Sequence, residues 1–286
     1  MYDITYIKPR TLQEAIEQKA EFGKDSLFIA GGSNLLVYMK DRKINPKYFI
    51  DVSELEELRE ITFNNETISI GPSVKIIEIE DSNQIKKSAY LLNQATKEFA
   101  NPLIKNKATI GGNIADASPA ADMIPPLLAL DAYLELASVN EARQIQLKDF
   151  FLNPRKTAIG DNEIISKIIL KKMEENDRSS FIKLGLRNAT TISVVSIAVW
   201  LSLEKGSGKI NDIRVALGSV APTPLRSQSV ENLLKNKVPD ENLIKQAMKE
   251  IQKDINPISD VRGSSDYRRE MSATLLKRAI NQCLNA

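Results

Sequence analysis

The chain almost lacks the side chains that proteins use to bind transition metals and to exchange protons near neutral pH. It contains no histidine and a single cysteine, Cys283, among 286 residues. The absence of histidine excludes imidazole metal ligands and histidine-based catalysis. One cysteine excludes an intrachain disulfide, a zinc site built from cysteines and an iron–sulfur cluster held by this chain alone. Redox chemistry would therefore require a bound organic cofactor, and we predict no metal site.

Charge and hydropathy exclude further classes of protein. The 39 Lys and Arg residues nearly balance the 37 Asp and Glu residues, and a net charge of +2 is too small for a nucleic-acid-binding surface. No apolar run reaches the ~18 residues of a membrane span, and residues 1–5 lack the layout of a signal peptide. We therefore expect a soluble, cytoplasmic protein. Cys283 falls in a predicted helix and is expected to be a packed or partly exposed thiol.

Local patterns predict two blocks in the first part of the chain. Residues 2–52 read as strands at 2–6, 27–30 and 48–52 and a helix at 12–22, with Thr11 as its N-cap. This alternation favours a small α/β unit with partly parallel strands. The block from 57 to 172 reads as an α+β unit, with helices at 74–80, 90–100 and 120–130 and strands at 68–70, 132–136 and 163–170.

The pattern changes after a polar stretch at 171–178, which we interpret as a linker. Three longer strands are predicted beyond it, at 181–186, 192–203 and 212–217, with a glycine-containing hairpin turn at 206–208. Predicted helices at 229–235, 240–253 and 266–284 complete the chain. The third block is therefore expected to be a sheet followed by helices.

Two glycine pairs stand out, in Ala30-Gly31-Gly32-Ser33-Asn34-Leu35 and in Thr109-Ile110-Gly111-Gly112-Asn113-Ile114. Paired glycines allow positive φ and can expose consecutive backbone N–H groups, which suit an anionic oxygen. A helix beginning after the loop would add a favourable dipole. Either pair alone could be an ordinary turn at the end of a strand, but two of them fit a diphosphate held from two sides.

The motif around the second pair extends to T-I-G-G-N-I-A-D-A-S-P-A-A-D over residues 109–122. With the first loop, it resembles the FAD-binding medium subunit of molybdenum hydroxylases, the family of xanthine dehydrogenase and carbon monoxide dehydrogenase. Residues 127–132, 216–224 and 260–269 resemble later motifs of the same family, so the similarity runs nearly end to end.

The resemblance implies an α+β fold in two parts. A two-part FAD-binding domain of the PCMH/VAO type is expected over residues 1–172, with subdomains at about 1–56 and 57–172. A C-terminal domain like that of the CO dehydrogenase flavoprotein, with a three-stranded antiparallel sheet and helices, is expected over 178–286.

The resemblance also implies a set of FAD-binding residues and no catalytic side chain. The first loop would wrap the diphosphate and the second would supply backbone amides and small polar side chains. A Cβ branch at Gly32 or Gly111 should then abolish FAD binding in a chain that still folds. The full set is Phe28, Ile29, Ala30, Gly31, Gly32, Ser33, Asn34, Leu35, Phe99, Thr109, Ile110, Gly111, Gly112, Asn113, Asp122, Ile165 and Lys183.

Three of these residues have alternative interpretations that depend on their local sequence. Asp122 would accept hydrogen bonds from the ribityl or ribose hydroxyls, or it could be a carboxylate in the first turn of the predicted helix at 120–130. Phe99 would lie against the flavin or adenine, or it could be a core residue of the helix at 90–100. Lys183 would place a cation beside the isoalloxazine, or it could be a surface lysine on an alternating strand.

One departure concerns the first loop, because many relatives carry Thr-Asp where this chain has Ser33-Asn34. Both versions keep a hydroxyl followed by a small polar side chain, so FAD binding should survive. Some relatives also hold an extra iron–sulfur cluster in this subunit, which one cysteine cannot support.

In functional terms, the resemblance implies an oxidoreductase subunit that carries FAD in a heteromeric complex. The implied partners are a large molybdopterin subunit and a small subunit with [2Fe–2S] clusters, and electrons would leave to NAD(P) or another acceptor. One alternative is a flavin reductase that resembles UDP-N-acetylenolpyruvoylglucosamine reductase, whose first glycine loop is similar. The other is a non-catalytic scaffold that has lost its flavin.

Overall fold

The N-terminal subdomain is built on a three-stranded parallel sheet with the order β1-β3-β2. The computed structural model describes residues 4–187 and 190–285, so residues 2 and 3 of the first predicted strand lie outside the described residues. The elements are β1 (Thr5–Ile7), α1 (Leu12–Phe22), β2 (Ser26–Ile29), α2 (Leu35–Lys40) and β3 (Tyr48–Asp51). Helix α1 has the predicted bounds, and the Thr11 side chain accepts a hydrogen bond from the Glu14 N–H as its N-cap. A helix between successive strands explains why they are parallel.

The second subdomain contains a five-stranded antiparallel sheet with the order β4-β5-β10-β6-β7. Its strands are β4 (Ile61–Phe63), β5 (Thr67–Ile70), β6 (Tyr133–Ala137), β7 (Ala142–Gln146) and β10 (Ile164–Lys171). A two-stranded hairpin consists of β8 (Phe151–Asn153) and β9 (Lys156–Thr157).

Seven short helices accompany this sheet. They are α3 (Ile76–Asp81), α4 (Asn83–Ser88), α5 (Tyr90–Glu98), α6 (Pro102–Lys105), α7 (Ile110–Ala115), α8 (Ile124–Ala129) and α9 (Leu147–Phe150). The helix predicted at 120–130 is therefore shorter than expected. Pro125 and Pro126 lie in its first turn, where the missing N–H groups need no intrahelical acceptor, and this places the start at Ile124.

The C-terminal sheet is antiparallel with the order β11-β12-β13-β14. Its strands are β11 (Asp177–Leu184), β12 (Val195–Leu203), β13 (Ile210–Gly218) and β14 (Leu225–Arg226), followed by α10 (Gln228–Leu234), α11 (Glu241–Glu250) and α12 (Ser265–Leu284). The three predicted long strands are present, and the two-residue β14 adds a fourth. The predicted linker ends earlier than expected, because Asp177 and Arg178 already pair with β12 at the edge of the sheet.

Both faces of this sheet are covered. Ile197, Val199 and Leu201 of β12 belong to the core shared with α10, α11 and α12. Ala198 and Trp200, on the opposite face, belong to the core around the five-stranded sheet, and β12 packs against α8. A strand buried on both sides is expected to be apolar throughout, as this one is. Among the described residues, no helix is both long and apolar enough to cross a membrane.

Candidate functional site

The first glycine loop, residues 30–34, connects β2 to α2 and presents a row of free donors. Within the described part of the chain, the backbone amides of Gly31, Gly32, Ser33 and Asn34 donate to no protein acceptor. Gly32 has a φ of +65°, a conformation that other L residues rarely adopt. Gly31 has no room for a side chain, because a Cβ there would overlap the carbonyl oxygen of Lys107. Consecutive amides of this kind form a concave site for anionic oxygens.

The second loop differs from the first, because its backbone amides already have acceptors within the chain. The amides of Ile110, Gly111, Gly112 and Asn113 all have acceptors within the chain: Val74 O, Pro72 O, Thr109 Oγ1 and Thr109 O. These residues begin helix α7, with Thr109 as its N-cap, so their N–H groups are used in folding rather than left free. Thr109 is buried, and its hydroxyl oxygen caps the helix. The half-buried side chain of Asn113 accepts a hydrogen bond from the Met123 N–H.

Gly111 has a packing role that the sequence interpretation missed. A Cβ on Gly111 would overlap the Pro72 side chain and lie 2.7 Å from the Pro72 carbonyl oxygen. This contact argues against the expectation that Gly111→Val leaves a folded chain, because the added atoms would separate α7 from the segment after β5. Gly32 has no comparable backbone neighbour, and its constraint is its positive φ.

Asp122 and Lys183 form a buried ion pair between the two halves of the chain. Lys183 Nζ lies 2.6 Å from Asp122 Oδ2, and the two side chains are 4% and 10% exposed. Ser193 Oγ donates to the other carboxylate oxygen over 2.5 Å, and Lys183 Nζ also donates to the Glu98 carbonyl over 3.0 Å. Burial raises the pKa of Asp122, while Lys183 and Ser193 act in the opposite direction.

This geometry excludes two of the alternative interpretations. Lys183 is not a surface lysine, because its side chain is enclosed. Asp122 precedes α8 rather than lying in its first turn, and both of its oxygens face β11 and the segment before β12. Phe99 is buried in the core, as its alternative interpretation predicted, and it follows the Glu98 carbonyl that Lys183 binds. Ile165 is likewise buried, on β10, which packs against α7.

Ser193 and Asp116 were not singled out by the sequence, although both are part of this region. Ser193 is fully enclosed and reaches Asp122 across 71 positions of the chain. Asp116, at the end of α7, accepts a hydrogen bond from the Asn34 side chain. Asp116 lies within the motif at 109–122, but nothing in the motif indicates that its partner is Asn34. Ser193 lies outside the quoted motifs, and its partner Asp122 comes from a different segment.

Comparison with known proteins shows which family the chain belongs to. The profile of the FAD binding domain in molybdopterin dehydrogenase matches residues 2–171, and that of the CO dehydrogenase flavoprotein C-terminal domain matches residues 180–283. The chain belongs to the FAD-binding medium subunits of molybdenum hydroxylases. The suspected family is thereby confirmed, and with it an oxidoreductase subunit that carries FAD.

Individual medium subunits are similar over almost their whole length. The chain is 31% identical to the glyceraldehyde dehydrogenase medium chain of Sulfolobus acidocaldarius, over 98% of each protein. It is 28% identical to the xanthine dehydrogenase FAD-binding subunit of Escherichia coli O157:H7, over 100% of this chain and 98% of that one. A solved structure of carbon monoxide dehydrogenase from Hydrogenophaga pseudoflava superposes with a TM-score of 0.94 at 30% identity, covering 98% of this chain and 96% of that chain.

Proposed function

We propose that the chain binds FAD between its two glycine loops and is the electron-transfer subunit of a heteromeric molybdenum hydroxylase. The observation that carries the site is the row of free amides from Gly31 to Asn34, next to the second loop. When bound, FAD supplies the exchange of electrons between iron–sulfur clusters and an external acceptor. The protein's own contribution is to hold the cofactor and set its surroundings, so no side chain needs to act on the organic substrate.

The first loop would bind the diphosphate, since its amides are free and backbone donors impose no rotamer entropy on binding. Thr109 and Asn113 would approach from the second loop. Phe28, Ile29, Ala30, Leu35, Ile110, Gly111 and Gly112 would shape the two loops and position them, with Gly111 acting through its contact with Pro72.

Asp122 would accept hydrogen bonds from hydroxyls of the ribityl chain or the ribose. Each of its oxygens already has one donor, Lys183 or Ser193, and a carboxylate oxygen can accept a second. Because Asp122 compensates its charge, Lys183 would hold this carboxylate in place rather than act as an isolated cation beside the flavin. Phe99 and Ile165 would complete the apolar part of the site.

We propose as partners a large molybdopterin-binding subunit and a small subunit with [2Fe–2S] clusters, in the cytoplasm. The electron acceptor would be NAD(P) or another carrier. We also propose that the domains divide at 1–172 and 178–286, with Asp122 and Lys183 joining them.

The test begins with the visible spectrum of the complex purified through a tag on this chain. We expect a flavin band together with iron–sulfur absorbance and two further polypeptides. A lone chain with flavin would contradict the heteromeric complex, and a chain that binds no added FAD would contradict the cofactor site.

A matched pair of glycine variants locates the site. Gly32 and Gly206 both have positive φ, +65° and +84°, but Gly206 lies in an open hairpin turn with no atom near a Cβ. Alanine costs about 1 kcal/mol of stability at either position. We expect Gly32→Ala to weaken FAD binding about tenfold or more, because it reorients the amides. A tenfold loss of affinity corresponds to ~1.4 kcal/mol of binding free energy. Gly206→Ala should bind FAD like the wild type, and equal affinities in both variants would refute the assignment.

A further inference from the structure

The Asp116 carboxylate receives donors from elements far away in the sequence. Asn34 Nδ2 donates to Oδ2 over 3.0 Å, and the Tyr38 hydroxyl donates to Oδ1 over 2.7 Å. Arg155 Nη1 lies 3.4 Å from Oδ1. The Asp116 side chain is only 10% exposed, so these contacts replace most of its hydration. We call Asn34, Tyr38, Asp116 and Arg155 the interloop cluster.

The position of these residues relative to the two glycine loops is specific. Asn34 is the last residue of the row of free amides, and Tyr38 follows one turn later on α2. Asp116 is the C-cap of α7, the helix that begins in the second loop. The interloop cluster therefore joins the end of one loop to the helix that carries the other.

Arg155 reinforces the cluster from a third element, the β8–β9 hairpin. Its backbone N–H donates to the Ala117 carbonyl over 3.0 Å, which fixes the hairpin to the end of α7. Its guanidinium lies 4.5 Å from the centre of the Tyr38 ring and contacts the Tyr38 hydroxyl. A cation over an aromatic face holds that ring in one orientation.

The hydrogen bond between Asn34 and Asp116 requires a donor on one side and an acceptor on the other. Asp116 can only accept hydrogen bonds when ionised, whereas an asparagine amide can donate. Asn34 is therefore matched to Asp116. A carboxylate at position 34, which is exposed, would replace the donor to the enclosed Asp116 carboxylate by a like charge at about 3 Å. The reciprocal exchange of both residues would restore one donor facing one carboxylate.

We propose that the interloop cluster sets the position of the first loop's free amides relative to the second loop, and thereby the affinity for FAD. The inference rests on the proposed FAD site. Asn34, Tyr38, Asp116 and Arg155 are positioning residues in this role, since they act through the loops that they join.

The experiment compares Asn34→Asp, Asp116→Asn and the exchanged double variant with the wild-type chain. FAD dissociation constants are measured by flavin fluorescence, and the melting temperature of each FAD-free chain is measured in parallel. Asn162→Asp and Asp81→Asn change the same charges at exposed positions outside the elements that form the cluster and serve as controls.

Many relatives carry aspartate at this position, but in this chain it would face Asp116. We therefore expect Asn34→Asp to weaken FAD binding about tenfold or more here, as the loss of a charge-assisted hydrogen bond implies. Asp116→Asn should weaken it less, and the double variant should return to within about threefold of the wild type. The melting temperature should fall in Asn34→Asp by about 2–6 °C and recover in the double variant. The controls should not differ from the wild type.

Two outcomes overturn the proposal: wild-type FAD affinity in Asn34→Asp, or strictly additive effects in the double variant. A wild-type chain that binds no FAD is a different result, because it refutes the proposed function. In that case the melting temperatures of the FAD-free chains still decide whether Asn34 and Asp116 are coupled, and additive shifts refute the cluster.

Discussion

The buried pair of Asp122 and Lys183 allows a strong test of how the two halves of the chain are joined. Lys183→Met keeps the length of the side chain and removes its charge. The Asp122 carboxylate, 10% exposed, would then keep only its hydrogen bond from Ser193. Breaking a buried ion pair by removing one partner costs about 3–5 kcal/mol, so the free energy of unfolding of the FAD-free chain should fall by that amount.

The magnitude follows from the charge that is left behind rather than from lost packing. In the double variant Lys183→Met/Asp122→Asn, neither partner is charged. Its loss in free energy of unfolding should be smaller than the sum of the losses in the two single variants, by about 2 kcal/mol or more. Urea denaturation of the wild type, both single variants and the double variant gives this coupling energy. A coupling below about 0.5 kcal/mol would refute the argument.

The pH dependence provides an independent check. Burial already raises the pKa of Asp122 above its ordinary value, and removing Lys183 takes away the largest opposing influence. A carboxyl whose pKa is higher in the folded than in the unfolded state stabilises the fold at low pH. That stabilisation is lost as the pH rises through the pKa of the folded state. The penalty of Lys183→Met should therefore be smaller at pH 5 than at pH 8. The same penalty at both pH values would contradict a buried, unpaired carboxylate.

Three further predictions concern single residues. Gly111→Val should give misfolded or insoluble protein because of the contact with Pro72, and a soluble variant with wild-type circular dichroism would contradict this. Burial raises the pKa of Cys283 to about 12. An aromatic disulfide reagent at pH 8 should therefore react with this thiol only after the chain unfolds, and labelling at the rate of a free thiol would contradict the buried position. Asp131→Asn should lower the free energy of unfolding by about 1–3 kcal/mol, because Asp131 forms ion pairs with Arg214 and Arg226 of the C-terminal sheet. Urea denaturation of the variant and the wild type measures this difference.

Local chemistry explains which parts of the fold could be predicted. Helix α1 begins where Thr11 caps it and continues with an apolar period, and both signals are contained in a dozen neighbouring residues. The helix predicted at 120–130 is shorter in the structure, where it spans Ile124–Ala129. The apolar run continues through Pro125 and Pro126, and the restricted backbone of these prolines decides where the helix begins. Strand β14 is only two residues long, too short for any periodic signal.

The candidate site was predicted unevenly for a similar reason. The resemblance to the family pointed to the residues of both loops and also to Asp122 and Lys183 as candidates. It did not indicate which amides are free, because Gly111 and Gly112 belong to a helix whose hydrogen bonds depend on Thr109 and the distant Pro72. The alternating pattern of its strand is compatible with a surface position for Lys183. Only the packing of β11 on α5 shows that this side chain is enclosed.

The sequence by itself determined the absence of histidine chemistry, the need for an organic redox cofactor, the family and the residues of the two glycine loops. These conclusions depend on residue types and on motifs that are contiguous in the chain. The tertiary structure alone decided that the amides of Gly31 to Asn34 are free, that Ser193 and Lys183 hold Asp122, and that Asn34 faces Asp116. The last two facts are contacts between segments far apart in sequence, which exist only once the chain has folded, and the first depends on how the folded chain places the loop after β2.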